Sequence, residues 1–228
     1  MEAVVTNGRN AQVSIYSDQE TLSHAAAERF VSLSHAAIIS HGRFTTALSG
    51  GSTPRRLYSL LGMPLYRDLI DWKRVHIFWA DERCVAPSHE DSNYKLAADT
   101  LLLKAAVPVE NIHRIRGEEG PAVAAAEYQE ELHKYFIGSP KPVFDLVVLG
   151  AGVDGHTASL FPGSPWLWER SREVVPVHLE KPSASRVSLT FSVFNEAANV
   201  IFLVSGEDKA DIVYEVLKST NQNKYPAG

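Results

Sequence analysis

Short apolar runs rich in β-branched residues alternate with amphipathic helical stripes along the whole chain, and this alternation restricts the fold more than any other feature. The predicted strands are Val13–Tyr16, Thr45–Leu48, Val75–Trp79, Ile112–Ile115, Asp145–Gly150, Val174–Val177, Arg186–Phe191 and Val200–Val204. Several are apolar almost throughout, as strands covered on both faces are. Between the first two, Leu22, Ala26, Phe30, Leu33 and Ala37 recur at steps of 4, 4, 3 and 4, which places them on one helix face. Asp18 suits the N-cap of that helix and Gly42 its C-terminal stop. Pro121 opens a second helix carrying Ala124, Tyr128, Leu132 and Phe136, and a last helix carries Ala210, Val213 and Leu217.

Strand–helix alternation of this kind predicts an α/β fold, a mostly parallel, doubly wound Rossmann-like sheet with helices on both faces. No repeat or long linker interrupts it, so residues 1–228 read as one domain. An apolar share of 45% with 21% charged residues is enough to build a buried core. The net charge is −5, from 22 basic and 27 acidic residues with no basic block, which argues against nucleic-acid binding. Cys84 is the single cysteine, which excludes an internal disulfide and suits a reducing compartment. Residues 1–10 lack the pattern of a secretory signal, and no run reaches the roughly 20 apolar residues of a membrane span. The expectation is a soluble, cytoplasmic protein. An acidic chain of this kind binds an anion only through locally arranged donors.

Ligands of open α/β sheets sit beyond the carboxyl ends of the strands, and three predicted strands here end in unusual loops. The first loop is Ser49-Gly50-Gly51-Ser52-Thr53-Pro54. Paired glycines allow close backbone approach, and Pro54 opens a helix that Ser52 or Thr53 can cap. The helix N-terminus with these hydroxyls fits a phosphate cradle; a plain capped turn fits the stretch equally well. The second loop is Asp81-Glu82-Arg83, three charges at a strand end. Arg83 held by carboxylates could polarise an oxyanion, and a solvated ion-paired loop is the simpler alternative. The third is Gly150-Ala151-Gly152-Val153-Asp154-Gly155-His156-Thr157. His156 offers an imidazole that exchanges protons near neutral pH, with Asp154 two residues away to orient it. Asp154 and His156 could also ligate a metal, but no further ligands stand at suitable spacing.

In these loops the chain resembles the 6-phosphogluconolactonase family, within the wider glucosamine-6-phosphate isomerase/deaminase superfamily. The matching stretches are Leu48–Pro54, Trp79–Arg83, Asp91–Tyr94, Leu149–Gly163, Arg186–Thr190 and Gly206–Ala210, in family order. The resemblance implies hydrolysis of 6-phospho-D-glucono-1,5-lactone in the pentose phosphate pathway, with no metal, cofactor or covalent intermediate. It implies that His156 is the base, that Asp154 orients it and that Arg83 assists near the lactone. Ser49, Gly50, Gly51, Ser52, Thr53, Asp81, Arg186 and Lys209 would bind the substrate and its phosphate. By themselves, Arg186 and Lys209 read as ordinary surface cations. The family pattern usually continues past residue 228 into a further strand or helix. Two alternatives are a glucosamine-6-phosphate deaminase and a non-catalytic sugar-phosphate sensor. The deaminases carry a carboxylate shortly after the histidine, where this chain reads Thr157-Ala158-Ser159-Leu160-Phe161-Pro162.

Overall fold

Every residue of the strand Phe44–Leu48 is buried, so its two faces must both be covered. The computed structural model describes residues 3–7, 11–179, 185–218 and 224–228. The first half of the chain forms β1 (Ala3–Asn7), β2 (Ala11–Ile15), α1 (Gln19–His41), β3 (Phe44–Leu48), α2 (Ser52–Leu61), α3 (Pro64–Arg67), β4 (Val75–Trp79), β5 (Asp81–Arg83), α4 (Asn93–Ala97) and α5 (Leu103–Ala105). The second half forms α6 (Pro121–Tyr135), β6 (Leu146–Leu149), β7 (Val174–Val177), β8 (Arg186–Leu189), α7 (Phe191–Phe194), β9 (Val200–Phe202) and α8 (Ala210–Lys218).

The central sheet runs β4-β3-β6-β9 and is parallel at each pairing. Helices flank it, as the alternation of elements predicts. Asp18 caps α1 by accepting the Thr21 N–H at 2.7 Å, and Gly42 ends it in the left-handed region at φ 83°. The buried side of α1 includes Ala26, Phe30 and Ala37, with the Phe30 ring edge-on to Phe44 at 5.2 Å. Burying one such aromatic ring is worth about 2–3 kcal/mol. On α6, Ala124, Tyr128 and Leu132 are buried, and the Tyr128 hydroxyl accepts the Trp79 N–H and donates to the Trp79 carbonyl. This pair of bonds ties α6 to the carboxyl end of β4.

A second sheet, β5-β8-β7, is antiparallel. Ala80 joins the two sheets: its N–H donates to the Leu48 carbonyl at 2.8 Å, and its own carbonyl accepts from Leu189 at 2.8 Å. The charged stretch Asp81–Arg83, read from the sequence as a loop, is therefore a strand. Its partner lies about a hundred residues away, and no local pattern reveals such a pairing. β1 and β2 form a separate hairpin, so the strand predicted at Val13–Tyr16 lies outside the central sheet.

Ile112–Ile115 forms only a single bridge, Ile112 to Ile77, although Ile115 is fully buried. A short segment with an apolar residue at each end imitates a strand without a ladder. The last helix also turns differently. Ile212 is buried and Val213 and Val216 are half-buried, whereas Ala210 and Leu217 face outward. Ile212 faces inward because it packs beside Gly155, on the turn that carries His156.

Candidate active site

The carboxyl ends of β3, β4 and β6 meet the β5–β8 pair around one cavity of about 230 Å³. Ser49, Gly50, Gly51, Ser52, Thr53, Asp81, Arg83, His156, Arg186 and Lys209 all line it. Asp154 stands behind His156 and is bonded to it. Three loops read separately from the sequence therefore form one site.

The first loop presents donors that the described residues leave free. Gly51 precedes α2 without a side-chain cap, so the first-turn N–H groups of that helix stay available. Neither Ser52 nor Thr53 caps it as the sequence suggests, because the Thr53 hydroxyl bonds Ser205 instead at 2.9 Å. Ser49 is gripped through its backbone: Tyr58 hydroxyl accepts its N–H and donates to its carbonyl. That leaves Ser49 Oγ buried with no partner among the described residues.

The two arginines share this condition. β5 and β8 pair so that Arg83 lies directly opposite Arg186, and both Nε atoms are buried with no partner among the described residues. Arg83 spends one terminal nitrogen on the Asp91 carbonyl at 2.6 Å. Burial, reinforced by the charge of Arg83, pulls the Arg186 guanidinium below its ordinary value. Two half-buried cations side by side, each with a buried donor unused among the described residues, are costly unless an anion joins them. Lys209, in the short turn before α8, adds a third cation to the lining.

The acidic residues of the second loop act as braces. Asp81 accepts from Ser159 Oγ at 2.6 Å and Asn93 Nδ2 at 3.1 Å, linking the second loop to the third. Glu82 accepts the N–H groups of Arg83, Asn93 and Tyr94 and the hydroxyl of Ser92. Burial raises the Glu82 carboxyl above its usual value, against the lowering effect of those backbone donors. Asn93 also presses on the first loop. A Cβ placed on Gly50 would lie 1.9 Å from Asn93 Oδ1, so glycine is required there.

In the third loop the Asp154 carboxylate accepts both the His156 N–H at 3.1 Å and the imidazole Nδ1 at 2.6 Å. Burial alone would raise the Asp154 pKa, but the His156 bonds and charge outweigh it and leave it lowered. With Nδ1 donating to this carboxylate, Nε2 is the nitrogen left to accept a proton. The ring rests against Phe161 at 4.7 Å, and Arg186 lies over the other part of that wall, 5.7 Å from the Phe161 centroid. Gly152 lies directly beneath the imidazole: a Cβ there would meet Nδ1 at 2.1 Å.

Sequence reasoning missed Asn93, Ser205, Phe161 and Ser159 as members of the site. Asn93, Ser159 and Phe161 fall within the stretches that resemble the family, yet none stands out there by its own chemistry. Ala158, also in the lining, adopts φ 48°, unusual for a residue with a Cβ and a mark of a loop held by its surroundings. Cys84 is absent from the lining, and burial with the charge of Glu82 pushes its thiol up to about 11, which keeps it protonated. Among the described residues, no group of three or more His, Cys, Asp or Glu side chains is placed to hold a metal ion.

Comparison with known proteins gives a consistent result. The family described as glucosamine-6-phosphate isomerases/6-phosphogluconolactonase matches residues 17–228. A 6-phosphogluconolactonase of Haemophilus influenzae is 41% identical over 182 residues, 79% of this chain and 77% of the relative. One from a Nostoc species is 37% identical over 219 residues, covering 94% and 89%. Among solved structures, 6-phosphogluconolactonase from Trypanosoma cruzi superposes with a TM-score of 0.83 at 29% identity, covering 93% of this chain and 87% of that one. The Trypanosoma brucei enzyme gives 0.79 at 30% identity, covering 91% and 86%. With a match that runs over nearly the whole chain and includes all three loops around the cavity, this protein belongs to the glucosamine-6-phosphate isomerase/6-phosphogluconolactonase family.

Proposed function

We propose that the chain hydrolyses 6-phospho-D-glucono-1,5-lactone to 6-phospho-D-gluconate, the lactonase step of the pentose phosphate pathway. One observation carries this reading. The unpartnered donors Arg83 Nε, Arg186 Nε and Ser49 Oγ line the same cavity as an imidazole whose Nδ1 is held by Asp154. Such a site suits a substrate with an anionic group at one end and an electrophilic carbon at the other.

In the proposed mechanism, the phosphate is gripped by the amides of the Gly50–Thr53 loop, Ser49, Arg186 and Lys209. His156 Nε2 takes a proton from water as the water oxygen attacks the C1 carbonyl. Arg83 stabilises the oxyanion that forms, and Asp154 stabilises the imidazolium. Collapse of the tetrahedral intermediate breaks the bond from C1 to the ring oxygen, which receives the proton from His156. The product is an open-chain acid, which ionises to the carboxylate. Asp81, held by Ser159 and Asn93, positions the loops around the substrate. A reducing compartment such as the cytoplasm suits a chain with one cysteine.

The stretch Thr157–Pro162 supports hydrolysis over deamination, since Ser159 and Phe161 occupy it and it holds no carboxylate. The decisive experiment is a lactone-hydrolysis assay on the purified chain, corrected for spontaneous ring opening, with glucosamine 6-phosphate tested in parallel for ammonia release. Catalysed lactone opening without ammonia is expected; ammonia release, or no opening above background, overturns the proposal.

A further inference from the structure

Residues Lys224–Gly228 lie far from the three loops in sequence, yet they bond directly to the turn that carries His156. The Ala227 N–H donates to the Gly155 carbonyl at 3.0 Å. The Tyr225 side chain covers Gly155 from the same side: a Cβ built there would meet Tyr225 Cδ1 at 2.7 Å and Ile212 Cδ1 at 3.1 Å. Pro226 between them is buried. Lys224 fastens the segment to α8 through Glu215 at 3.4 Å, and its ammonium lies 4.7 Å from the Tyr225 ring centroid.

Gly155 stands between Asp154 and His156 and adopts φ 81°, a conformation that glycine alone adopts freely. Inside the turn, Asp154 holds His156 through its backbone N–H and Nδ1, and the Thr157 hydroxyl donates to the Gly150 carbonyl at 2.9 Å. Gly155 N–H donates to the Gly152 carbonyl, and Gly152 N–H donates to the His156 carbonyl. None of these bonds takes up the Gly155 carbonyl, and a glycine peptide left unheld at that point samples many conformations. The external bond on Gly155 comes from Ala227.

We propose that Lys224–Gly228 is a positioning strap for the catalytic turn, holding Gly155 so that Asp154 and His156 keep their mutual geometry. Among the described residues no hydrogen bond or ion pair joins it to the Gly50–Thr53 loop or the arginines, so its effect falls on turnover and leaves phosphate affinity alone. This inference rests on His156 being the base.

The test compares Ala227→Pro, which removes the N–H donor, with Ala227→Gly, which keeps it, and Tyr225→Ala with Tyr225→Phe. Ala227→Pro and Tyr225→Ala should lower kcat roughly 5- to 100-fold, the range expected when a reacting group is displaced by an ångström or less. KM should stay within about twofold and the melting temperature close to the parent's. Ala227→Gly and Tyr225→Phe should retain near-parental turnover. Amide hydrogen exchange at Gly152 and Gly155 should speed up in Ala227→Pro, a readout independent of catalysis. Parental kcat with unchanged exchange in folded Ala227→Pro would sink the strap, as would parallel losses of kcat, KM and thermal stability in both disruptive variants. His156→Ala run alongside separates the two ideas: if it retains turnover the base assignment fails, while the exchange data still judge the strap.

Discussion

Arg83 and Arg186 face each other across the antiparallel β5–β8 pair, each with a buried Nε that has no partner among the described residues. Like charges at directly opposed positions destabilise a strand pair. The arrangement makes sense as an anion site formed in advance, in which the substrate phosphate supplies the missing partner of Arg186 and the developing oxyanion that of Arg83. Arg186→Gln should therefore weaken substrate binding, raising KM about 10- to 100-fold for the loss of a charge-assisted hydrogen bond worth ~1.5–3 kcal/mol. The ligand-free variant should melt no lower than the parent, because it relieves the repulsion. A melting curve with and without 6-phosphogluconate checks both halves: the ligand-induced rise should shrink while the unliganded midpoint holds.

Removing the imidazole tests the proposed base. His156→Ala should reduce kcat roughly 10²- to 10⁴-fold, the usual contribution of general acid–base catalysis, with a smaller effect on KM. Steady-state kinetics on the folded variant decide it, and near-parental turnover would remove His156 from the role.

Asp154 adds a pH dependence of stability. Its folded pKa is depressed, so the stability it contributes is present above its unfolded value of about 3.9 and is lost as pH falls through the lower folded value. Asp154→Asn should lack this acid-dependent part. A plot of melting temperature against pH should fall less steeply for the variant below about pH 4. At neutral pH, Asp154→Asn should also lose turnover, because an amide stabilises the imidazolium poorly.

Two glycines separate binding from chemistry. Gly152 has an ordinary φ, but a Cβ there collides with the imidazole, whereas a Cβ on Gly50 collides with Asn93. Gly152→Ala should mainly lower kcat and Gly50→Ala mainly raise KM, each with an overpacking cost of about 1–3 kcal/mol. A shared pattern of kinetic damage in the two variants would contradict this division of the cavity.

Glu82 is the buried brace of the second loop. Glutamine has one acceptor oxygen in place of two and would turn an amide N–H toward donors now served by the carboxylate. Glu82→Gln should destabilise the fold by about 1–3 kcal/mol through unsatisfied donors around Arg83, Ser92, Asn93 and Tyr94. Chemical denaturation should show a lower midpoint with an unchanged slope.

Much of this protein is written in local pattern. The stripe on α1 with its Asp18 cap, the largely apolar strands β3, β4 and β6, and the glycine-rich loops at the ends of β3 and β6 are consequences of near-neighbour chemistry, and they are legible in the sequence. His156 beside Asp154 could be singled out for the same reason. Tertiary structure alone decided which residues meet. The strand at Asp81–Arg83 exists because β8 pairs with it, the face of Arg186 is set by that register, and Asn93 matters because it wedges between Asp81 and Gly50. The contact of Ala227 with Gly155 is equally invisible in the chain. Periodicity reports which side of an element is apolar; it carries no record of the partner across a gap of tens of residues, which is set by the packing of the whole core.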